Sequence, residues 1–219
     1  MKHIKKILVT TNKESFEKLE QWCNAQGITV WFESFIKIDA VLDLLIPTTD
    51  WVFFSSPKGA KSYLENYTIK AKKIAVFGKG TLRELHKFNL SAHFVGKVNQ
   101  TPKEIAIDFK QLIGSTATVF FPIGQLSKKS IQNEINSAQI TNLITYKTVY
   151  LSKKLDTEFD VILFTSPSNF NGYKLQHKLN GKTKLIALGK TTAAAINKFS
   201  KCIVLKEPNE ASFIEELQQ

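Results

Sequence analysis

The chain has 219 residues, 43% of them hydrophobic, and this length suits one large domain or two small ones with a buried core. No apolar run approaches the roughly 18 residues of a membrane span, and the basic start lacks a cleavage site, so we expect neither a membrane span nor a signal peptide. We expect a lysine-rich solvated surface to account for most of the net charge of +11, and the alternative is an anionic partner. Arg83 is the only arginine, which argues against sequence-specific nucleic-acid binding.

The two cysteines, Cys23 and Cys202, are too far apart in sequence to give a disulfide framework or a zinc motif. The histidines show no metal-ligand spacing either. We therefore expect a protein of the reducing cytoplasm that needs no metal or redox cofactor.

The chain opens with the pattern strand, helix, strand. The run "KILV" predicts a short strand, and Phe16, Leu19 and Cys23 have the spacing of one helix face. A second strand is predicted from Ile28, and the extended stretch "SFIKID" follows it.

Two strands that each end in a polar turn come next. In "DWVFFSSPKGA" an apolar strand stops at two serines, and a helix begins at or near Pro57. In "IAVFGKGT" a strand ends at Gly78, which permits a close turn, and a second helix follows. Phe94–Val95 is predicted as a short strand.

The middle of the chain predicts helices on either side of another strand. Pro102 suits a helix start, and the helix spacing that follows is that of Ile105, Phe109 and Leu112. The strand "TVFF" comes next, and a further helix is predicted from the spacing of Ile131, Ile135 and Ala138.

The rest of the chain repeats these patterns. A strand is predicted from Ile140, and it continues into the extended stretch "YKTVYLSKK". "VILFTSPSNF" and "IALGKTTAAAI" are again strands with polar turns and helices, and a strand at Ile203–Leu205 precedes a last helix. That helix, after Pro208, has its apolar positions at Phe213, Ile214 and Leu217.

Self-comparison shows that the chain contains two copies of one module. The offset stays near 110 residues, and the matched pairs are Asp50 with Asp160, Ser56 with Ser166, Pro57 with Pro167, Gly78 with Gly189, Lys79 with Lys190, and Thr81 with Thr192. Strands that alternate with helices predict a mainly parallel sheet with helices on both faces in each copy.

The four polar turns lie where open parallel sheets bind ligands, outside the carboxyl ends of the strands. Each precedes a helix whose free N–H groups and dipole favour an anion. The alternative is that the hydroxyl groups are ordinary N-caps, worth about 1 kcal/mol each. The residues "GKT" from Gly189 lack the earlier glycine of the phosphate-binding motif GxxxxGK[ST], so we do not expect nucleotide binding.

In order and spacing, the segments "DWVFFSSPKGA", "IAVFGKGT", "VFFPIG", "ITYKTVY", "DVILFTSPSNF" and "IALGKTTAAAI" resemble the uroporphyrinogen-III synthase family along essentially the whole chain. The resemblance implies two α/β domains joined by a two-stranded connection, with a cleft between them. One domain would comprise residues 1–36 and 150–219, and the other residues 38–148.

The resemblance also implies the chemistry. The family's substrate is hydroxymethylbilane, a linear tetrapyrrole with eight carboxylates, and the reaction closes the macrocycle with inversion of the last ring and loss of water. No cofactor or metal is required, and we expect a monomer. The alternatives are a non-catalytic tetrapyrrole- or anion-binding protein on the same scaffold, and a two-domain small-ligand receptor, which the expected lack of a signal peptide disfavours.

By the same resemblance, Tyr146 is the best candidate for the proton donor. The residues alone favour a strand aromatic on the face of Ile144, Thr148 and Tyr150. The candidate carboxylate contacts are Ser55, Ser56, Lys58, Lys79, Thr81, Ser166, Ser168, Lys190, Thr191 and Thr192. Many members carry arginine where this chain has Thr11 and Ile123, and we expect Lys128 and Lys129 to compensate from the following helix.

Overall fold

The computed structural model describes residues 4–219 and divides the chain into two compact units. Of the described residues, unit 1 comprises 4–37 and 149–219, and unit 2 comprises 38–148. That the chain contains two independently folding domains with the boundaries given above stays a prediction.

Unit 1 is built on a five-stranded sheet whose strands are β1 (Lys6–Val9), β2 (Thr29–Phe32), β9 (Val161–Phe164), β10 (Lys184–Ala187) and β11 (Ile203–Val204). Every neighbouring pair of strands is parallel, and the order is β11-β10-β9-β1-β2. Its helices are α1 (Glu17–Ala25), α5 (Pro167–Tyr173), α6 (Lys190–Ile196) and α7 (Glu210–Leu217).

Helices cover both faces of this sheet. Leu19 of α1 and Phe213 of α7 lie in one core with Ile7 and Leu163 of the sheet. Phe170 of α5 lies in the opposite core, with residues of α6. The helices are therefore required to bury the strands, which are apolar on both faces.

Unit 2 is built on a six-stranded sheet whose strands are β3 (Ile36–Ala40), β4 (Thr49–Phe54), β5 (Ala71–Val76), β6 (Phe94–Val95), β7 (Val119–Gly124) and β8 (Ile140–Tyr150). The order is β3-β8-β7-β4-β5-β6, and the sheet is parallel from β8 to β6. Its helices are α2 (Pro57–Asn66), α3 (Lys79–His86) and α4 (Pro102–Ile113).

Here too the helices lie on both faces. Phe109 of α4 packs with Phe53 and Phe121 on one face, and Tyr63 of α2 packs with Phe54 and Phe120 on the other. The predicted fold class, two parallel α/β sheets with helices on both faces, is confirmed. Helix α4 begins as predicted at Pro102, where Thr101 and Glu104 form a reciprocal capping box.

The helix predicted from Ile131, Ile135 and Ala138 is wrong. The segment contains only two short 3-10 turns, Gln132–Glu134 and Ser137–Gln139. The two isoleucines are buried, whereas Ala138 is exposed. The spacing therefore comes from two isoleucines that are buried separately in the core and not from one face of a helix. Leu112, predicted on the buried face of α4, is 54% exposed, and the helix buries Ile113 instead.

The matched aspartates Asp50 and Asp160 lie at the amino ends of the sheets, opposite the polar turns. Asp50 accepts hydrogen bonds from the N–H and the hydroxyl of Thr118, and Asp160 accepts from the N–H groups of Lys5 and Lys6. Each aspartate thus ties a neighbouring chain segment to its strand, and this role explains why both copies have it.

Within residues 4–219, no helix combines the length and apolar character needed to cross a membrane.

Candidate functional site

In unit 2 the structure brings the two polar turns together. Strands β4 and β5 are neighbours, and the helices that follow them, α2 and α3, pack against each other. At their starts, a Cβ on Gly80 would lie 3.5 Å from Pro57 Cγ. The turn after β4 and the turn after β5 therefore lie side by side at the carboxyl ends of the strands. The first contains the candidates Ser55, Ser56 and Lys58, and the second contains Lys79 and Thr81.

The two serines at the start of α2 differ in role. Ser56 accepts a hydrogen bond from the N–H of Gly59 at 3.0 Å, so its side chain caps the helix. Ser55 is half-buried before it. One turn can therefore contain both predicted roles, because Ser56 caps the helix and Ser55 does not have to.

The lysines at these starts are exposed. Lys79 lies at the first position of α3 with its side chain at the surface. Lys58 is also exposed by area, although the protein around it desolvates its ammonium group and lowers its pKa below the usual value.

Unit 1 repeats the arrangement on strands β9 and β10. Ser166 caps α5 by accepting the N–H of Asn169 at 3.1 Å, and Ser168 is half-buried in the first turn. Helix α6 begins at Lys190, which is exposed together with Thr191.

Thr81 and Thr192 occupy matched positions on the buried sides of their helices. They are 2% and 3% exposed, which leaves little of either side chain for a ligand. Their role as carboxylate contacts stays a prediction, as do the roles of the other candidates.

Thr165, the first hydroxyl residue after β9, serves the fold. Its hydroxyl donates to the carbonyl oxygen of Thr10 at 2.7 Å, and its N–H donates to the Thr10 hydroxyl at 3.0 Å. Thr10 is fully buried and donates in turn to the carbonyl of Leu163. This pair joins the ends of β1 and β9.

Tyr146 lies on β8, yet its side chain reaches the start of α2. Its phenol oxygen is 3.4 Å from Ser56 Oγ, at the long end of a hydrogen bond, and its ring contacts the position of Gly59. The candidate proton donor is thus next to one candidate substrate contact, Ser56. A half-buried phenol at a helix start can donate a proton or hydrogen-bond an oxygen of a ligand.

Strict alternation along β8 gives the wrong face for Tyr146. Ile144 pairs with Ile123, but Gly124 pairs with Tyr146, so Thr145 is an extra residue in a β-bulge. Leu143 packs in the core beside α2, and the bulge returns Tyr146 to that same face. The sequence pattern gave no sign of this bulge.

Asn169, which self-comparison did not single out, is a buried anchor in unit 1. Its side-chain oxygen accepts the N–H of Phe35 at 2.9 Å, and its amide nitrogen lies 3.4 and 3.3 Å from the hydroxyl groups of Thr165 and Ser166. In the repeat, Asn169 corresponds to Gly59. The first helical turn after the Ser-Pro motif thus contacts Phe35 through Asn169 in one copy, and contacts Tyr146 at Gly59 in the other.

The two family-arginine positions differ in burial. Ile123 is 4% exposed and packs in the core beside α4, whereas Thr11 is half-buried. The expectation that Lys128 and Lys129 project from a following helix is wrong, because the chain after them forms only 3-10 turns and Lys129 itself has a positive φ of 53°.

Residues 17–215 match the family described as uroporphyrinogen-III synthase HemD. The chain belongs to the uroporphyrinogen-III synthase family. The resemblance seen in the sequence is thereby confirmed, and the match spans both copies of the module. No curated protein matches the chain in sequence.

Solved structures share the family's fold with this chain. The uroporphyrinogen-III synthetase from Helicobacter pylori 26695 aligns with a TM-score of 0.69 and 14% identity, covering 98% of this chain and 99% of that one. A mutant uroporphyrinogen III synthase from the extremely thermophilic bacterium Thermus thermophilus aligns with a TM-score of 0.58 and 15% identity, covering 98% of this chain and 97% of that one.

Uroporphyrinogen-III synthase, a cyclising lyase of tetrapyrrole biosynthesis, is the function that the family match supports. The comparisons lend no support to the alternative of a non-catalytic tetrapyrrole- or anion-binding protein.

Proposed function

We propose that the chain is a hydro-lyase that closes hydroxymethylbilane to uroporphyrinogen III, with Tyr146 as the proton donor. The observation that carries this assignment is the position of the Tyr146 phenol beside Ser56, at the start of α2. We further propose that it acts as a cytoplasmic monomer without a nucleic-acid partner.

The proposed first step is loss of the terminal hydroxyl group of the bilane. The pyrrole electrons expel the hydroxyl group, the carbon–oxygen bond breaks, and the phenol proton leaves with the oxygen as water. An electrophilic azafulvene, which keeps the pyrrole N–H proton and is therefore a cation, remains beside the Tyr146 phenolate. General-acid assistance of this kind is typically worth about 10²–10⁴-fold in rate.

The last pyrrole ring then attacks through its substituted carbon and forms a spiro intermediate. Cleavage and re-closure invert this ring, and the proton lost as the pyrrole regains aromaticity balances the proton that the phenol donated. The protein's part in this step is to hold the chain in the conformation that permits attack.

We propose that the substrate's carboxylates bind the polar turns through helix N-termini, hydroxyl groups and lysines. The supporting features are four strand-to-helix turns at the carboxyl ends of parallel strands, with Lys79 and Lys190 exposed at matched positions. A substrate with many carboxylates also suits a chain of net charge +11.

The decisive experiment supplies freshly generated hydroxymethylbilane and measures the ratio of the III and I isomers by chromatography. The parental protein should give mainly the III isomer. Tyr146→Phe should lower kcat about 10²–10⁴-fold with little change in KM, and its enzymatic product should remain the III isomer. The matched control is Tyr150→Phe, on the same strand and 40% exposed, which should keep the parental rate.

Two results would contradict the proposal in different ways. Formation of only the I isomer at the uncatalysed rate would favour the non-catalytic alternative. A Tyr146→Phe variant with the parental kcat would leave the synthase activity in place but assign proton donation to another group.

The salt dependence of substrate affinity tests the carboxylate contacts. Lys79→Gln and Lys190→Gln should each raise KM and weaken its dependence on ionic strength, because exposed charges are screened over about 8 Å at physiological salt. Lys110→Gln, an exposed lysine on α4 at the other face of the sheet, is the control. Equal effects of all three substitutions would indicate a general charge effect instead of specific contacts.

A further inference from the structure

The Tyr146 side chain has to cross a neighbouring strand to reach α2. In the unit 2 sheet, β7 lies between β8, which carries Tyr146, and β4, which leads into α2. Adjacent strands are about 4.8 Å apart, so the phenol extends over β7 instead of lying above its own strand. The residue of β7 beneath the ring therefore decides whether this path is open.

That residue is Gly124, the last residue of β7. A Cβ at Gly124 would lie 2.4 Å from Cζ, 2.5 Å from Cε2 and 2.7 Å from the phenol oxygen of Tyr146. Contacts this short are not sustained by real side chains, so the ring occupies the space that any other residue would fill. Gly124 has no positive φ, and the need for glycine is therefore spatial.

The other edge of the ring faces a second glycine. A Cβ at Gly59, in the first turn of α2, would lie 3.0 Å from Cε1 and 3.3 Å from the phenol oxygen of Tyr146. The ring thus lies between the backbones of β7 and α2, with its oxygen 3.4 Å from Ser56 Oγ. We call Gly59 and Gly124 the glycine cradle.

The bulge at Thr145 determines the face of the sheet to which the Tyr146 side chain points. Without the extra residue, Tyr146 would point to the face of Ile144, away from α2. The Thr145 hydroxyl is buried without a hydrogen-bond partner among the described residues. An unsatisfied buried hydroxyl is costly, which indicates that the position is fixed by backbone geometry and not by its own polar contacts.

We propose that Gly124 is a positioning residue, which directs the Tyr146 phenol to the start of α2 by leaving the path across β7 open. This inference rests on the proposed role of Tyr146 as the proton donor. A side chain at position 124 displaces the ring from Ser56 and from the substrate oxygen. Misplacement of a catalytic group by about 1 Å can cost roughly 10²-fold in rate.

The kinetic test is a double-mutant cycle on the full-length protein. Gly124→Ala should lower kcat about 10²-fold with KM nearly unchanged. In the Tyr146→Phe background the same substitution should lower kcat no further, because no phenol remains to be misplaced. Gly181→Ala is the matched control, since a Cβ there meets no atom of the described residues within 4 Å.

A second readout does not depend on activity. In protein with ¹³C-labelled tyrosine rings, the Tyr146 resonance is the one that Tyr146→Phe removes. Gly124→Ala should shift this resonance and leave those of the other tyrosines in place, whereas Gly181→Ala should shift none of them. If Gly124→Ala does not fold, Gly59→Ala serves in the resonance measurement, which reports on the ring itself, because its Cβ would lie 2.9 Å from Ser56 Oγ and 3.0 Å from Tyr146 Cε1.

The outcomes separate the two proposals. A shifted Tyr146 resonance with unchanged kcat supports the positioning by glycine and overturns proton donation by Tyr146. An unshifted resonance overturns the positioning. A further fall of kcat in the double variant also overturns it, because Gly124 would then act through something other than the phenol.

Discussion

Replacement of Asn169 by alanine should destabilise unit 1 strongly. The side chain is fully buried, and its oxygen is the acceptor for the N–H of Phe35. Alanine removes that acceptor and orphans a buried backbone donor, which costs about 1–3 kcal/mol, and the vacated space adds to this. The sum is about 2–4 kcal/mol of unfolding free energy.

The surroundings of Phe35 leave little room for a compensating shift. Its carbonyl oxygen accepts the N–H of Leu151, and a Cβ on Gly172 would come within 2.3 Å of the same oxygen. The Phe35 ring also packs edge-on against Tyr173 and His177, with centroids 5.2 and 5.7 Å away. We therefore expect the backbone of Phe35 to stay in place and its N–H to remain unsatisfied in Asn169→Ala.

The assay is thermal or urea unfolding together with amide hydrogen exchange. A loss of about 2–4 kcal/mol should lower Tm by roughly 5–15 °C in a chain of this size. The Phe35 amide should lose protection first. The matched control is Asn171→Ala, exposed on the same helix, which should stay within about 0.5 kcal/mol of the parent. A loss below about 1 kcal/mol, or unchanged protection of Phe35, would refute the reasoning.

Three further predictions follow from the described contacts. Thr145→Val should raise the unfolding free energy by about 1 kcal/mol in urea titrations, because it removes a buried hydroxyl that has no hydrogen-bond partner in the described part of the chain, and a loss of stability would mean that the hydroxyl has a partner. Asp50→Asn should flatten the fall of Tm on acidification. Hydrogen bonds from Lys72 and then Thr118 hold the pKa of Asp50 well below its usual 3.8. The stability that the ionised Asp50 contributes is therefore fully present above pH 3.8 and is lost progressively as the pH falls below that value. The exposed Asp43, changed to Asn, is the control, and equal slopes for the parent and Asp50→Asn would contradict this role. A fragment of residues 38–148 should unfold cooperatively in calorimetry, and cooperative unfolding of residues 1–110 in its place would contradict the domain boundaries.

The polar turns were predictable because their signals are local. Ser-Pro and Gly-Lys at the end of an apolar run indicate a helix start wherever they stand, and Ser56 and Ser166 are the caps that this rule expects. The duplication then placed them on two sheets, because strands that alternate with helices form parallel sheets.

Periodicity failed where side chains compete with the backbone. Between Ile131 and Gln139 the spacing of apolar residues fits a helix, but asparagine and serine prefer local backbone hydrogen bonds, and the side chain of Asn136 caps a 3-10 turn there. Two buried isoleucines four residues apart are compatible with either structure. Only the packing against α4 decides between them.

The contacts of Tyr146 could not be read from the sequence because they depend on three separate segments. The bulge at Thr145, the end of β7 and the first turn of α2 meet only in the folded sheet. The sequence contained one sign, the glycine that closes "VFFPIG", and a glycine at a strand end has several ordinary explanations.

The first turn after each Ser-Pro motif has a consequence for how the two copies tolerate mutation. At position 59 the limit is size: any side chain meets Ser56 Oγ and the Tyr146 ring, whatever its chemistry. At position 169 the limit is chemistry: the space is filled, and the residue must offer an acceptor to the Phe35 N–H while its other atom faces hydroxyl groups. Exchange of the two residues would therefore harm each copy for a different reason, by overcrowding in one and by an orphaned hydrogen bond in the other. Positions that are equivalent by duplication can thus diverge without either becoming free to vary.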